Sequence, residues 1–275
     1  MQGFNCLFIT NVPEIAKYAE ESGVSRIFLD LEIMGKIERQ GHLDTVISHH
    51  HISDIKQVKS VLTTSKLMVR INPLHKGSKK EIDDVIDNGT DIIMLPMFHS
   101  AKEVKIIGDM INRRVKFIPL IETESAAKDI FNINALDCVD ELHIGLNDLH
   151  LDLNKKFMFE LFIDGTVDNI VSKITKPFGI GGVARIGEGI IPAENILNEH
   201  VRLGSSGTIL SRAFHLRSKS LHELKLKINL KDEINKLDNY LSKISILNDY
   251  ELNEMHDDFI IKINDYIKVL DEKNI

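Results

Sequence analysis

Phe117-Ile-Pro-Leu-Ile-Glu122-Thr123 and Glu141-Leu-His-Ile-Gly145-Leu-Asn147-Asp148-Leu149 decide how this chain is read. Each run is apolar almost to its end and then delivers one carboxylate, Glu122 from the first and Asp148 from just past the second. In a parallel α/β fold the C-terminal ends of the strands face the same way, so acids distant in sequence meet in space. Two acids in that position suit a hard divalent cation, because Mg²⁺ takes oxygen ligands and keeps water or substrate oxygens besides. Glu122 and Asp148 are therefore the expected metal ligands, and Mg²⁺ or Mn²⁺ the expected ion.

Outward from these two runs the pattern repeats. Short apolar stretches at 6–10, 26–32, 66–72, 91–96, 115–122, 141–145, 178–184 and 208–214 alternate with segments of helical periodicity. Single helices are expected over 125–134 and 156–173, and Ser53-Asp54 reads as the cap of another. Eight alternations predict an α/β chain folded as one (β/α)₈ barrel over residues 1–215, with an open doubly wound sheet as the competitor. From Leu216 the period changes. Leu230, Ile234, Leu237, Leu241 and Ile244 form one helical seam, and Leu252, Met255, Phe259, Ile263, Tyr266 and Leu270 a second. Residues 216–275 are expected to be a helical hairpin that packs on its own barrel or on a neighbouring subunit.

The 275 residues carry a formal charge of −7, which makes nucleic acid an unexpected partner. Two cysteines, Cys6 and Cys138, are too few for a disulfide framework and read as buried thiols. There is no basic leader with a long apolar stretch and no apolar window long enough to span a bilayer, so a cytoplasmic protein without membrane contact is expected.

Polar residues interrupt the strands at their C-terminal ends: Asp30 and Glu32 on the second, Arg70 and Asn72 on the third, Glu122 on the fifth. Active sites of barrels lie on that face. The segments Phe28-Leu-Asp-Leu-Glu32, Val69-Arg-Ile-Asn72, Gly89-Thr-Asp-Ile-Ile-Met-Leu-Pro96, Ile121-Glu-Thr123 and Ile144-Gly-Leu-Asn-Asp-Leu149 follow one another in this order. Together they resemble the citrate lyase beta-subunit and hydroxy-oxo-acid aldolase family, within the phosphoenolpyruvate/pyruvate barrel superfamily. The resemblance spans residues 5–215 and stops before the C-terminal hairpin.

The resemblance implies a metal-dependent carbon–carbon lyase or aldolase acting on a 2-oxo acid or acyl substrate. By it, Glu122 and Asp148 chelate the ion, Arg70 lies over the oxygen that becomes the enolate, and Glu32 or Asp30 holds metal-bound water or orients Arg70. Asn72, Gly145, Asn147 and Arg185 are the expected substrate contacts, Arg185 from its place after the seventh strand. The chain departs from the family at Ile33, where the aldolase branch has histidine and the citrate lyase branch aspartate. The run His49-His50-His51 offers a replacement base, with His50 taken as the candidate. Lys76, Lys79 and Lys80 are candidate anion contacts or plain surface lysines. The alternatives are a phosphoenolpyruvate-using condensing or mutase-type enzyme, and a non-catalytic metal-binding or ligand-binding barrel. A homo-oligomer is expected from the apolar seams.

Overall fold

The structure, a computed structural model, describes residues 3–35 and 50–273. Of the sequence readings, those on Lys36, Arg39, His42 and His49 lie outside the described residues. In chain order the first half runs β1 (Asn5–Ile9), α1 (Pro13–Glu21), β2 (Arg26–Asp30), α2 (Ile52–Val61), β3 (Lys66–Arg70), α3 (Ser78–Asp87), β4 (Ile92–Leu95), α4 (Ala101–Ile111) and β5 (Lys116–Ile121). Next come α5 (Glu124–Lys128), α6 (Ile130–Asn134), β6 (Leu142–Ile144), α7 (Leu146–Asp152), α8 (Glu160–Ile163), α9 (Thr166–Val171), β7 (Phe178–Ile180), α10 (Ala193–Leu203) and β8 (Gly207–Ile209). A short turn α11 (Arg212–His215) leads to α12 (Leu221–Lys227), α13 (Leu230–Ile244) and α14 (Asp249–Lys273).

The strands are parallel and lie in the order β7-β6-β5-β4-β3-β2-β1-β8. An open doubly wound sheet would leave its two outer strands apart. Here they meet: Val183 N–H donates to Ile209 O at 3.1 Å, Thr208 Oγ1 to Ile180 O at 2.8 Å, and Ser211 N–H to Val183 O at 2.8 Å. The result is a nearly closed (β/α)₈ barrel.

Residues two apart on a strand share a face, so each strand carries an inner and an outer row. Leu7, Phe28, Met68, Ile92, Met94, Ile118 and Leu120 form an apolar cluster of their own inside the barrel. The larger core lies between the strands and their helices. On β2 the row that includes Phe28 reads Arg26, Phe28, Asp30 from bottom to top. At the bottom Arg26 makes a two-pronged bond to Glu141, at 2.7 and 2.8 Å, with both side chains 8 % exposed. The inner wall at β7 is made of glycine: a Cβ on Gly179 would come within 2.5 Å of the His143 ring, which occupies that volume instead.

Several boundaries differ from the sequence reading for local reasons. The helix expected over 156–173 breaks into α8 and α9, because Gly165 takes a left-handed φ of 79° between them. The one expected over 125–134 divides at Asp129. The last strand is short, since Ser211 accepts the Ala213 N–H and starts the turn Arg212–His215. Helix α2 begins one residue after His51, whose N–H donates to Asp54. Cys6 is buried, and burial with the Asp238 charge pushes its thiol up to about 12; Cys138 is half-buried.

The C-terminal helices pack on the same chain's barrel, α12 against α1, and α13 and α14 against α10. All five apolar residues of the first seam are buried, as are Leu252, Phe259 and Ile263 of the second. Each such side chain contributes about 1.5–3 kcal/mol when fully buried. Covered on both sides, α10 buries Glu199 completely, and Arg202 (2.7 Å) and His256 from α14 (2.9 Å) meet its two oxygens. Among the described residues no helix is long and apolar enough to cross a membrane.

Candidate functional site

The C-terminal end of the barrel gathers acids around one arginine. Arg70, the last residue of β3, donates from Nε to Asp30 Oδ1 at 2.9 Å and from Nη2 to Asp30 Oδ2 at 2.8 Å. Its Nε also lies 3.4 Å from Glu32 Oε2. The guanidinium sits over the Phe28 ring, 5.6 Å from its centroid, and only 14 % of the side chain is exposed. Such a fork-to-carboxylate pair fixes orientation as well as charge. Burial works against the Arg70 charge, but the Asp30 and Glu32 carboxylates outweigh it and hold the group firmly protonated.

Glu122 follows β5, buried to 2 % exposure, and accepts the Met97 N–H on Oε1 at 2.9 Å. Met97 reaches it from a left-handed φ of 48°, a conformation costing a non-glycine residue about 1–2 kcal/mol. Asp148, in the first turn of α7, is also buried. Burial first, and the Asp148 carboxylate next, push the Glu122 carboxyl up to about 8, while Arg70 pulls it down. Gly145 leaves Glu122 room: a Cβ there would crowd it, standing 3.0 Å from Glu122 Oε2 and 3.1 Å from Leu120.

Four buried acids thus gather near this guanidinium, and carboxyl groups crowded out of water favour a bound cation. Among the described residues no group of three His, Cys, Asp or Glu side chains is arranged to hold a metal ion. Glu122 and Asp148, the two expected ligands, offer hard oxygen donors of the kind that suit an ion taking its remaining ligands from water and substrate. The residues present fit Mg²⁺ or Mn²⁺.

The other predicted residues divide. His50 Nδ1 accepts the Asp30 N–H at 3.0 Å, which fixes the ring beside β2. Asn72 turns its side-chain oxygen to the Ile33 and Met34 N–H groups at 3.0 and 3.1 Å. Asn147 is exposed at the start of α7. Arg185 follows β7 and is ion-paired with Glu188. Ile33, where a proton carrier was looked for, points outward at 66 % exposure. Lys79 and Lys80 pair with Asp83 and Asp84 one helical turn on and are largely exposed. Sequence reasoning missed the Met97 N–H and the Phe28 ring. Phe28 had a signal in its place two residues before Asp30; a backbone donor leaves none.

These features define a (β/α)₈ barrel whose C-terminal face carries an acid-rich cluster around a buried arginine. The HpcH/HpaI aldolase/citrate lyase family model matches residues 7–162, and the chain belongs to that family. Among solved structures it is similar to an HpcH/HpaI aldolase/citrate lyase family protein from Burkholderia cenocepacia J2315, at 12 % identity and a TM-score of 0.62, covering 82 % of this chain and 95 % of that one. It is similar to the citrate lyase beta subunit complexed with oxaloacetate and magnesium from M. tuberculosis, at 16 % identity and a TM-score of 0.59, covering 89 % and 97 %. A citrate synthase, SbnG, matches at 17 % identity and a TM-score of 0.60, covering 86 % and 95 %. At such identities these likenesses speak for the fold. No curated protein matches the sequence.

Proposed function

We propose that this chain is a divalent-metal-dependent carbon–carbon lyase or aldolase that works through the enolate of a pyruvate-like or acyl substrate. The observation that carries the reading is the meeting of Glu122 and Asp148 beside the Asp30–Arg70–Glu32 cluster, in a chain of a lyase and aldolase family. Glu122 and Asp148 would hold Mg²⁺ or Mn²⁺, which when bound supplies Lewis-acid polarisation of a carbonyl oxygen. That the citrate lyase beta subunit resembling this chain was solved with oxaloacetate and magnesium supports the choice of ion and of substrate class.

The chain's own residues do the rest. Cleaving the bond next to a carbonyl leaves negative charge on its oxygen, and the Arg70 guanidinium is a fixed positive charge for it. Asp30 keeps that group from rotating, and the low-dielectric wall of Phe28 strengthens its field. Glu32 either steadies Arg70 or positions a water. His50, fixed through Nδ1, is the candidate proton carrier in a chain with isoleucine at 33. Asn147 at the mouth and Arg185 after β7 are candidates to contact the substrate's far end.

The test is exchange of pyruvate methyl protons with deuterated water, followed by NMR with Mg²⁺ or Mn²⁺ and then with EDTA. Exchange that needs the ion and is lost in Arg70→Met supports the reading; metal-independent exchange, or full activity in Arg70→Met, overturns it. The second reading runs the same chemistry as a condensation, and the likeness to a citrate synthase favours keeping it. Phosphate release from phosphoenolpyruvate with an added oxo acid separates the two. A cytoplasmic homo-oligomer remains part of the proposal, supported by Ile246, Tyr250 and Ile261, which the C-terminal helices and their turn leave exposed.

A further inference from the structure

Glu81, on the outer helix α3, is not among the acids of the cluster, yet three donors converge on it. Asn72 donates to Glu81 Oε1 twice, from its backbone N at 3.1 Å and from Nδ2 at 2.8 Å. His75 Nε2 lies 2.9 Å from Glu81 Oε2. The direction of that last bond follows from the other ring nitrogen. Gly77 N–H donates to His75 Nδ1 at 3.0 Å, so in the neutral ring Nδ1 is the acceptor and Nε2 carries the hydrogen. Both oxygens of Glu81 therefore accept, which a carboxylate does and a carboxamide does not.

This fixes the amide of Asn72. With Nδ2 held by Glu81, Oδ1 has to face the other way, where the N–H groups of Ile33 and Met34 both donate to it. Flipping the amide would set its NH₂ against two N–H donors and its oxygen against a carboxylate, so one orientation is selected. Ile33 and Met34 are the residues directly after Glu32, whose carboxylate lies 3.4 Å from Arg70. At the other end of the same connection, His50 Nδ1 accepts the Asp30 N–H. Both described ends of the segment between β2 and α2 are thus tied to the C-terminal ends of β2 and β3.

We infer that Glu81 is a positioning residue: through Asn72 it clamps the exit of β2 and holds Glu32 against Arg70. The bearing on catalysis rests on the reading of Arg70 and Glu32 given under Proposed function; the clamp itself does not. Oε1 alone takes both Asn72 bonds, so Glu81→Gln can keep them by turning its NH₂ to His75, whereas Glu81→Leu removes them. The Glu122 and Asp148 ligands stand on other elements and are left as they were.

The test compares wild type, Glu81→Leu and Asn72→Ala by amide-proton exchange at Ile33 and Met34 and by the NMR signal of the Arg70 Nε–H. Circular dichroism confirms that each variant is folded. The expected result is exchange of both amides about tenfold faster in either variant, the loss of one hydrogen bond's worth of protection. The Arg70 Nε–H signal is expected to move, with Mn²⁺ affinity kept within about twofold of wild type. Unchanged amide exchange in Glu81→Leu overturns the clamp. Faster amides with an unmoved Arg70 signal overturn the positioning role. Metal-dependent pyruvate exchange is measured alongside: a wild type without it counts against the proposed chemistry alone, while a roughly tenfold lower rate in Glu81→Leu at unchanged Mn²⁺ affinity joins the two.

Discussion

The two ends of the barrel solve the same problem with opposite results. Both set a buried arginine against buried acid, and both use β2, with Arg26 at its start and Asp30 at its end. At the bottom one guanidinium meets one carboxylate through two bonds, and the charges cancel. At the top the Arg70 guanidinium meets Asp30 and Glu32, and Glu122 and Asp148 stand close by, so four buried acids share one end. A matched pair is a structural element. A crowd of buried acids drawn from several strands is the arrangement expected where a protein binds and reacts. The difference between the ends, more than the burial of either, marks where function lies.

The largest effect that would break this comparison is chemical. Asp148→Ala or Glu122→Gln is expected to lower metal-dependent pyruvate exchange by about 10³-fold or more, with melting temperature unchanged or raised because like charges have been separated. A variant that keeps more than a tenth of the rate would remove the top of the barrel from consideration as a metal site.

The bottom pair should respond the other way. Arg26→Met leaves Glu141 buried and alone and is expected to cost about 3–5 kcal/mol, read by urea unfolding. Arg26→Met with Glu141→Leu should recover most of that loss, because an apolar pair of similar volume replaces an ion pair at little net cost. Exchange activity per folded molecule should be unchanged in both. Activity lost in the double variant would mean that the bottom pair reaches the chemistry.

How much of this contrast can be read from the sequence depends on range. Glu122 and Asp148 stand out because each closes an apolar run, and the eight runs give the barrel. The Arg26–Glu141 bond is invisible, since its partners are 115 positions apart and each looks like an ordinary polar residue before a strand. Backbone donors such as Met97 N–H carry no side-chain signature, and the double duty of Asn72 depends on a helix residue nine positions later. The break between α8 and α9 hung on one glycine inside a helical period. Local pattern gives strands and their ends; contacts across the barrel need the fold.

A smaller effect sharpens the view of the lower barrel wall. His143 and His200 are buried with Nε2 unpartnered, and burial pushes each ring down to about 3 from an ordinary 6.5. The neighbouring His200 lowers His143 further. A histidine whose folded value lies below its unfolded value takes up its proton only on unfolding, so stability is full above pH 6.5 and falls as pH drops toward 3. At pH 5 the loss amounts to about 2 kcal/mol for each ring. His143→Phe should flatten that slope, measured as melting temperature from pH 7 to pH 5; a slope unchanged by it would contradict the buried neutral ring. The smallest effect belongs to the surface pairs. Lys80→Ala, which removes the exposed bond to Asp84, should leave melting and exchange activity as they are.

The most direct test of the central claim is Mn²⁺ binding followed by electron paramagnetic resonance, in wild type, Asp148→Ala and the Arg26→Met, Glu141→Leu double variant. One ion per chain in wild type, lost in Asp148→Ala and kept in the double variant, is the predicted result. Binding that survives Asp148→Ala, or that the wild type does not show, would contradict the assignment of Glu122 and Asp148 to a metal site.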